Sequence, residues 1–240
     1  MAILTRRRFL TISALAALPL PAFAAPVTEW HGTAMGSAAA IYLSHPDADA
    51  IIARAVAEIE RLEAIFSLYR VDSALSVLNR TGRLEAPPFE LLECLALCAQ
   101  VHTLTDGLFD PTVQPLWQLY AESYAKGQAP TDAQIAERLT RVGMQNLTYD
   151  SEALTLANGA ALTLNGVAQG FVADKVADLL AAEGLTDILV NTGEFRALGQ
   201  MPDGGGWPVR LAAAGQAVRG FPPMRSEERR VGKECLRLCR

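Results

Sequence analysis

The chain is poor in the side chains that build metal clusters, and it carries no excess of positive charge. Only three histidines and four cysteines occur in 240 residues. His31, His45 and His102 are scattered without metal-ligand spacing, so we interpret each as structural or solvent-facing. Acidic residues outnumber basic ones by 26 to 21, and a net charge of -5 argues against a nucleic-acid-binding protein.

The apolar run near the N-terminus, residues 12–20, is too short to span a bilayer. It follows three arginines at 6–8 and precedes Ala22-Phe23-Ala24, a small-residue cleavage motif. We therefore interpret residues 1–24 as a twin-arginine signal peptide that directs export to the bacterial periplasm, with an uncleaved membrane anchor as the alternative. Removing this segment leaves 18 basic against 26 acidic residues, a charge of -8. No cysteine follows the cleavage site, which argues against a lipoprotein.

Half of the residues are hydrophobic, which is enough for one sizeable core or for two small packed lobes. The hydrophobic spacing predicts an α+β fold in which helices cover mixed or antiparallel sheets. Strands are predicted at Val27–Trp30, Ser37–Leu43, Asp187–Asn191 and Trp207–Leu211. Helices are predicted at Asp47–Phe66, from a cap at Asp72-Ser73 to Asn79, from Phe89 to about Thr103, after Pro111, and from Thr131 to about Leu139.

The stretch from Leu154 to Gly184 combines a predicted hairpin, a glycine turn and a helix. Residues 154–157 and 160–164 alternate in the two-residue period of strands, and Asn158-Gly159 between them suits a type I′ turn. The second strand leads into Asn165-Gly166-Val167-Ala168-Gln169-Gly170, after which apolar residues recur at helical spacing up to Gly184. The chain is thus predicted to run strand, tight turn, helix.

A turn of this kind predicts an anion site. The first N–H groups of a helix have no intrahelical partner, and they lie at the positive end of the helix dipole. Gly166 and Gly170 lack side chains, so a phosphate or a metal–phosphate pair could approach the main chain closely. An ordinary strand-to-helix connection explains the same residues, and the turn alone does not decide between the two.

Three other segments carry side chains suited to a heterocycle, and each has a simpler explanation. Met35, on a turn between two glycines, could lie against a flat ring or could only pack in the interior. Tyr69, beside Arg70 at a helix end, could contact an aromatic anionic ligand or could be an ordinary surface residue. The loop 105–112 offers an aromatic ring and a carboxylate for stacking and hydrogen bonding, although Asp110 could equally cap the next helix.

The order of these segments resembles the FAD:protein FMN transferases (ApbE type). Five ordered motifs between about residues 30 and 211 carry the resemblance, and together they are far more specific than any one of them. The motifs are Gly32-Thr33-Ala34-Met35-Gly36, residues 67–73 with Leu78-Asn79, residues 107–113, residues 162–174 and residues 190–199.

The resemblance implies a Mg²⁺-dependent reaction that transfers FMN from FAD to a Thr or Ser hydroxyl of a target flavoprotein and releases AMP. The α+β fold is expected to form two closely packed lobes with the nucleotide between them. Family positions around the flavin and adenine are matched by Met35, Tyr69, Leu108, Phe109 and Asp110. The segment with Thr163 and Gln169 matches the one beside the pyrophosphate, and a main-chain carbonyl near Gly166 is the implied metal contact. No catalytic base is identified.

Two positions depart from the family pattern. Many members have Asp at the position of Thr163 and Lys at that of Gln169, so neutral groups replace a carboxylate and a cation near the phosphates. Leu-Asn-Gly-x-Ala-Gln-Gly in this place is similar to the exported transferases linked to nitrous-oxide respiration (NosX type). The predicted export signal suits that branch.

The last residues depart further from the family. Its members continue with segments that supply an Asp and a Thr or Ser to the metal site. From Arg225 to Cys235 the peptide instead matches the translation of a short-read sequencing adapter. We therefore interpret residues 25–224 as the flavin transferase domain, incomplete at its C-terminal end, and 225–240 as a non-native tail, which the nucleotide sequence would test.

The four cysteines are not interpreted as a zinc site, although their spacing invites it. Cys94 and Cys98 lie one turn apart on a predicted apolar helix, where a disulfide would restrain little. We interpret both as small buried hydrophobes. Cys235 and Cys239 belong to the predicted non-native tail, so a four-thiolate site is rejected.

Two alternative functions use the same contacts as the transferase. One is a periplasmic protein that binds FAD without chemistry, and the other is a Mg²⁺-dependent pyrophosphatase that releases FMN and AMP. For the transferase, the expected partner is a periplasmic or membrane-bound acceptor flavoprotein.

Overall fold

The structure, a computed structural model, describes residues 26–202 and 204–207, and the backbone alone of 212–213 and 216–217. The predicted signal peptide, the predicted non-native tail and most of the predicted strand Trp207–Leu211 lie outside these residues. Of the helices in the described part, none is long and apolar enough to cross a membrane.

A four-stranded antiparallel sheet, in the order β1-β2-β6-β7, forms the centre of the fold. Strands β1 (Thr28–Ala34) and β2 (Ser37–Leu43) form a hairpin. Met35 and Gly36 connect them with φ of 52° and 76°, as a two-residue type I′ turn requires. Strand β6 (Ile188–Asn191) pairs with β2, and β7 (Phe195–Leu198) pairs with β6. Because Asn191 pairs with Ala40, the β1–β2 and β6–β7 turns lie at the same end of the sheet.

Two helices pack against this sheet. Helix α1 (Ala48–Phe66) contacts β1 and buries the predicted apolar stripe, which includes Ile52, Ile59 and Leu62. Helix α6 (Ala168–Ala182) contacts α1, β6 and β7. Helix α6 therefore covers β6 and β7.

A smaller antiparallel sheet has the order β3-β5-β4. Its strands are β3 (Arg83–Glu85), β4 (Leu147–Tyr149) and β5 (Ala153–Leu156), and helix α2 (Ala74–Thr81) contacts β3 and β5. Leu78 and Leu154 belong to the same hydrophobic cluster as Ile41 and Leu62, so the two sheets share one core. The predicted α+β class, with antiparallel sheets covered by helices, is confirmed.

The remaining elements either lie between β3 and β4 of the smaller sheet or follow β7. They are α3 (Phe89–Leu104), α4 (Gln114–Ala125), α5 (Asp132–Leu139), a 3₁₀ turn (Met144–Asn146) and the short pair β8 (Ala212–Ala213) and β9 (Gln216–Ala217). Thr131 and Gln134 form the predicted capping box of α5.

Cys94 and Cys98 are free and buried, as predicted. A hydrogen bond with Cys98, together with burial, raises the pKa of the Cys94 thiol, which keeps it protonated.

The predicted hairpin after Leu154 is correct in its turn and wrong in its second strand. Asn158 and Gly159 have φ of 54° and 68°, and the Ala160 N–H donates to the Ala157 carbonyl. Strand β5, however, already pairs with β4 on one edge and β3 on the other. Neither edge of β5 is therefore open to residues 160–164, and the true hairpin partner is β4, which precedes β5.

Residues 160–164 are held instead by a side chain and a loop. The Asn79 amide donates to the Leu162 carbonyl at 2.8 Å and accepts from the Leu162 N–H at 2.7 Å. The Thr163 N–H donates to the Pro111 carbonyl at 2.8 Å. These bonds satisfy main-chain groups that a strand partner would otherwise have satisfied. The segment thus reaches the glycine turn without being part of a sheet.

Candidate functional site

Two side chains hold the turn between β1 and β2. One is Glu63 of α1, and the other is Tyr69 of the segment that follows α1. The Met35 N–H donates to the Glu63 carboxylate, and the Met35 side chain packs against the core. A Cβ built on Gly36 would lie 3.3 Å from Cε2 of Tyr69, at a φ of 76°. Gly36 is therefore the residue that lets the Tyr69 ring approach the turn.

Tyr69 is fixed at its backbone and open at its ring. Ser67 Oγ accepts from the N–H groups of Tyr69 and Arg70, at 3.1 and 3.2 Å. The Tyr69 side chain is nevertheless 74% exposed.

Arg70 pairs with Asp72, which lowers the pKa of the Asp72 carboxyl and leaves Ser73 alone as the cap of α2. The predicted cap at Asp72-Ser73 is thus correct for Ser73 and wrong for Asp72.

The loop between α3 and α4 brings Phe109 to the glycine turn. A Cβ built on Gly166 would lie 3.7 Å from Cε2 of Phe109, in ordinary contact. Leu108, the preceding residue, has a side chain that is 90% exposed and is not part of this contact. The structure therefore brings Phe109 and Gly166 together and leaves Leu108 in solvent.

Asp110 shapes the same loop and does not cap α4. Its Oδ1 accepts from the Thr112 N–H at 2.8 Å and from the Thr112 hydroxyl at 2.6 Å. Thr112 Oγ1 in turn accepts from the Gly143 N–H at 2.6 Å. The N-cap of α4 is Val113, which has no side-chain cap. The helix-cap interpretation of Asp110 is therefore wrong, and its carboxylate instead fixes the end of the loop through Thr112.

The glycine turn leaves only part of the predicted anion site open. The N–H groups of Val167 and Ala168 both donate to the Leu164 carbonyl, at 2.9 and 2.7 Å. Within the described part of the chain, the N–H groups of Gln169 and Gly170 have no acceptor. The expectation of free amides is thus wrong for the first two residues and correct for the next two, which lie in the first turn of α6.

Gln169 links this turn to the end of the main sheet. Its Nε2 donates to Ser37 Oγ at 2.8 Å, and its main-chain carbonyl accepts from Thr192 Oγ1 at 2.9 Å. A Cβ built on Gly193 would lie 2.5 Å from Gln169 Nε2, so a larger residue there would displace this amide, and the φ of 97° also favours glycine. Ser37 follows the Met35-Gly36 turn directly, and Gln169 therefore joins that turn to the start of α6.

The position of α6 is also fixed by an ion pair inside the fold. Arg196 Nε of β7 lies 3.3 Å from Asp174 Oδ1, and both side chains are largely buried. Asp174 is one turn further along α6 than Gly170. The pair therefore anchors the first half of the helix to the sheet edge.

The predicted site residues thus form two connected groups. Met35 and Tyr69 share the β1–β2 turn, to which Gln169 is joined through Ser37, while Phe109 and Thr163 lie with the loop that precedes α4. Asn165 to Gln169 connects the groups. Ser37 and Glu63 were not predicted as site residues. Thr192 and Gly193 lie in the family motif at 190–199, but no role was predicted for either, and a tight turn alone would explain the glycine.

The oxygen atoms near the turn suit a hard cation, but they do not form a carboxylate cage. No three His, Cys, Asp or Glu side chains within the described residues are grouped as a metal site would require. Gly166 is exposed, and Thr163 contributes a partly buried hydroxyl whose oxygen lies 3.4 Å from the Asn165 nitrogen. Carbonyl and hydroxyl oxygens are compatible with Mg²⁺, which commonly takes its other ligands from phosphates and water.

Comparison with known proteins adds independent findings. Residues 33–227 match the model of the ApbE family. A protein named FAD:protein FMN transferase from Haemophilus influenzae is 30% identical over 204 residues, which are 77% of this chain and 58% of that protein. The chain therefore spans little more than half the length of this relative.

Solved structures agree with the sequence comparison. The flavinyl transferase ApbE of Pseudomonas stutzeri, in its apo form, superposes with a TM-score of 0.71 at 27% identity, covering 80% of this chain and 65% of that one. The H257G mutant of the flavin transferase ApbE from Vibrio cholerae superposes with a TM-score of 0.71 at 26% identity, covering 78% of this chain and 68% of that one. Similarity of both sequence and fold thus extends over most of the described residues.

Proposed function

The chain belongs to the ApbE family, and from that premise we propose that it binds FAD with the diphosphate at the start of α6 and transfers FMN to a hydroxyl group of an acceptor flavoprotein. The observation that carries the proposal is the pair of unbonded N–H groups of Gln169 and Gly170 at a helix N-terminus. Such groups favour a phosphate. The names of the relatives supply FAD as the phosphate-containing substrate.

The surrounding side chains support this placement of FAD, with its diphosphate at the start of α6. Phe109 lies against Gly166 on one side of the turn, and the exposed Tyr69 ring stands beside Gly36 at the other end of the connected groups. Aromatic rings are suited to hold the flavin or the adenine by stacking. Met35, which precedes Gly36 in the same turn, adds a polarizable side chain. FAD would thus extend from the turn along these residues.

The proposed chemistry is a phosphoryl-group transfer. The acceptor hydroxyl oxygen forms a bond to the phosphorus of the FMN half, the P–O bond to AMP breaks, and the hydroxyl proton passes to a base or to water. The N–H groups of Gln169 and Gly170 stabilise negative charge on the phosphate oxygens. Mg²⁺, when bound, would offset the charge that develops as AMP departs. Gly166 and Thr163 are the described residues whose oxygens would contact it.

The cellular setting follows from the predicted export signal. We place the protein in the periplasm, exported by the twin-arginine route, with an acceptor that is periplasmic or membrane-bound. An acceptor in nitrous-oxide respiration would agree with the Leu-Asn-Gly-x-Ala-Gln-Gly segment. Fractionation of cells that carry the tagged chain, with a variant in which the arginines at 6–8 are lysines, would test the location.

A transfer assay separates this function from its alternatives. The chain is incubated with FAD, Mg²⁺ and an acceptor domain, and the acceptor is examined by denaturing electrophoresis. We expect FAD binding with weak or undetectable turnover, because the described residues include no carboxylate cluster to fix the metal. Flavin fluorescence on the denatured acceptor indicates transfer, free FMN with AMP indicates hydrolysis, and unchanged FAD indicates binding only. Failure to bind FAD at all would contradict the proposed function.

A further inference from the structure

His102, in the last turn of α3, makes one well-defined contact with the loop that carries Phe109. Its Nδ1 lies 2.7 Å from the Phe109 carbonyl oxygen. A carbonyl oxygen can only accept, so Nδ1 carries the hydrogen and donates it. The side chain is partly buried, which protects this hydrogen bond from competition by water.

The N–H of Phe109 is held by the same helical turn. It donates to Thr105 Oγ1 at 3.1 Å, and that hydroxyl donates to the Val101 carbonyl at 2.8 Å. The main-chain groups on both sides of the Phe109 side chain are therefore tied to the end of α3. The direction in which the Phe109 side chain leaves the main chain is therefore set by the end of α3.

The loop closes around the His102 ring. Asp106 and Gly107 have φ of 51° and 81°, and the Gly107 N–H donates to the His102 carbonyl at 2.9 Å. A Cβ built on Gly107 would lie 3.6 Å from Cε1 of His102. The imidazole thus fills the inside of a tight loop, and a side chain that lacks its donor would leave the Phe109 carbonyl without this partner.

We propose that His102 is a positioning residue that fixes the Phe109 ring against Gly166 and thereby sets the affinity for FAD at the diphosphate turn. The chain of contacts runs from His102 Nδ1 to the Phe109 carbonyl, and from the Phe109 ring to Gly166. His102 itself touches none of the nucleotide. This role rests on the proposed FAD site, whereas the placement of the ring can be tested without any ligand.

Two substitutions separate the position of the donor from the bulk of the side chain. In His102→Asn the amide nitrogen can occupy the place of Nδ1, whereas in His102→Gln the longer side chain places its amide near Nε2 instead. Thr103→Ala is the matched control, because the exposed neighbouring Thr103 donates its hydroxyl only to the Ala99 carbonyl of its own helix. Thermal unfolding of each variant establishes that the chain is folded.

Two readouts are measured on the full chain. The first is the amide resonance of Gly166 in ¹⁵N-glycine-labelled protein without ligand, since a ring in contact shifts a nearby amide proton. The second is the dissociation constant of FAD with Mg²⁺. We expect His102→Asn and Thr103→Ala to match the parent in both, and His102→Gln to shift Gly166 and weaken FAD binding by about five- to tenfold, the effect of one lost hydrogen bond.

The outcomes decide between a positioning role and a structural one. Parent-like Gly166 shift and FAD affinity in His102→Gln would overturn the proposal, as would a shifted Gly166 with unchanged affinity. If His102→Gln does not fold, Phe109→Leu replaces it, since this variant removes the ring and keeps both main-chain bonds; it must show the same two changes. If the parent does not bind FAD, the proposed function is wrong. The change in the Gly166 amide shift between the parent and His102→Gln then decides whether His102 positions the ring.

Discussion

The Gly170→Leu variant is expected to fold like the parent chain and to lose FAD binding. A Cβ built on Gly170 meets no protein atom within 4 Å, so the larger side chain has space within the described structure. That space lies beside the free N–H groups of Gln169 and Gly170, where the diphosphate is proposed to bind. A side chain that must be displaced costs about 1–3 kcal/mol, so we expect about a 5- to 150-fold loss of affinity in titrations with FAD and Mg²⁺.

Two further variants control for effects on the helix itself. Ala181→Leu places the same leucine side chain on the exposed last turn of α6 and is expected to leave FAD affinity unchanged. Gly170→Ala is expected to stabilise the chain by up to about 1 kcal/mol, because alanine is the better helix former, while it weakens FAD binding. A gain in stability combined with a loss of binding is what a glycine retained for close ligand approach should show. Parent-like FAD affinity in Gly170→Leu would place the nucleotide elsewhere.

Removing Arg196 is expected to produce the largest loss of stability of any single change considered. The Arg196→Met variant keeps most of the side-chain volume but removes the cation that lies 3.3 Å from Asp174. Because both side chains are largely buried, the carboxylate loses this compensation in a poorly solvated place. We expect a loss of about 3 kcal/mol in the free energy of unfolding, measured by urea denaturation.

An exposed ion pair and a double variant show whether burial is the cause. Arg83 and Glu85 are 2.7 Å apart on exposed strand β3, and Arg83→Met is expected to change stability very little. The double variant Asp174→Asn with Arg196→Met is expected to be less destabilised than the sum of its single variants, because no buried charge remains. Additive losses in the double variant would show that the two residues stabilise the fold independently.

Local chemistry in the sequence predicted most of the secondary structure. The capping box at Thr131 and the turn at Asn158-Gly159 each depend on residues within three positions of one another, and both are present. The prediction of a second strand at residues 160–164 was wrong. These residues do alternate as a strand would, but they have no strand to pair with. Strands β3 and β4 already pair with the two edges of β5. The local sequence pattern gives no information about which strands will pair.

The arrangement of the site depended on long-range contacts that no local pattern encodes. Gln169 and Ser37 are 132 positions apart and meet only because β6 pairs with β2 and α6 crosses the sheet. Phe109 reaches Gly166 because the Thr163 N–H bonds to Pro111. The family motifs pointed to Met35, Tyr69, Phe109 and Gln169 without giving these contacts. Ser37, Glu63 and His102 carried no signal, since a serine after a turn, an acidic helix residue and a lone histidine are common everywhere.

The most direct test of the account is the position of the nucleotide's metal relative to the start of α6. Mn²⁺ replaces Mg²⁺ in a titration of ¹⁵N-glycine-labelled chain with FAD, and its unpaired electrons broaden nearby amide resonances. If the diphosphate binds at the start of α6, Gly166 and Gly170 broaden first, and Gly82 and Gly127, which belong to other parts of the fold, stay sharp. Sharp Gly166 and Gly170 resonances, with broadening elsewhere, would contradict this placement of the diphosphate.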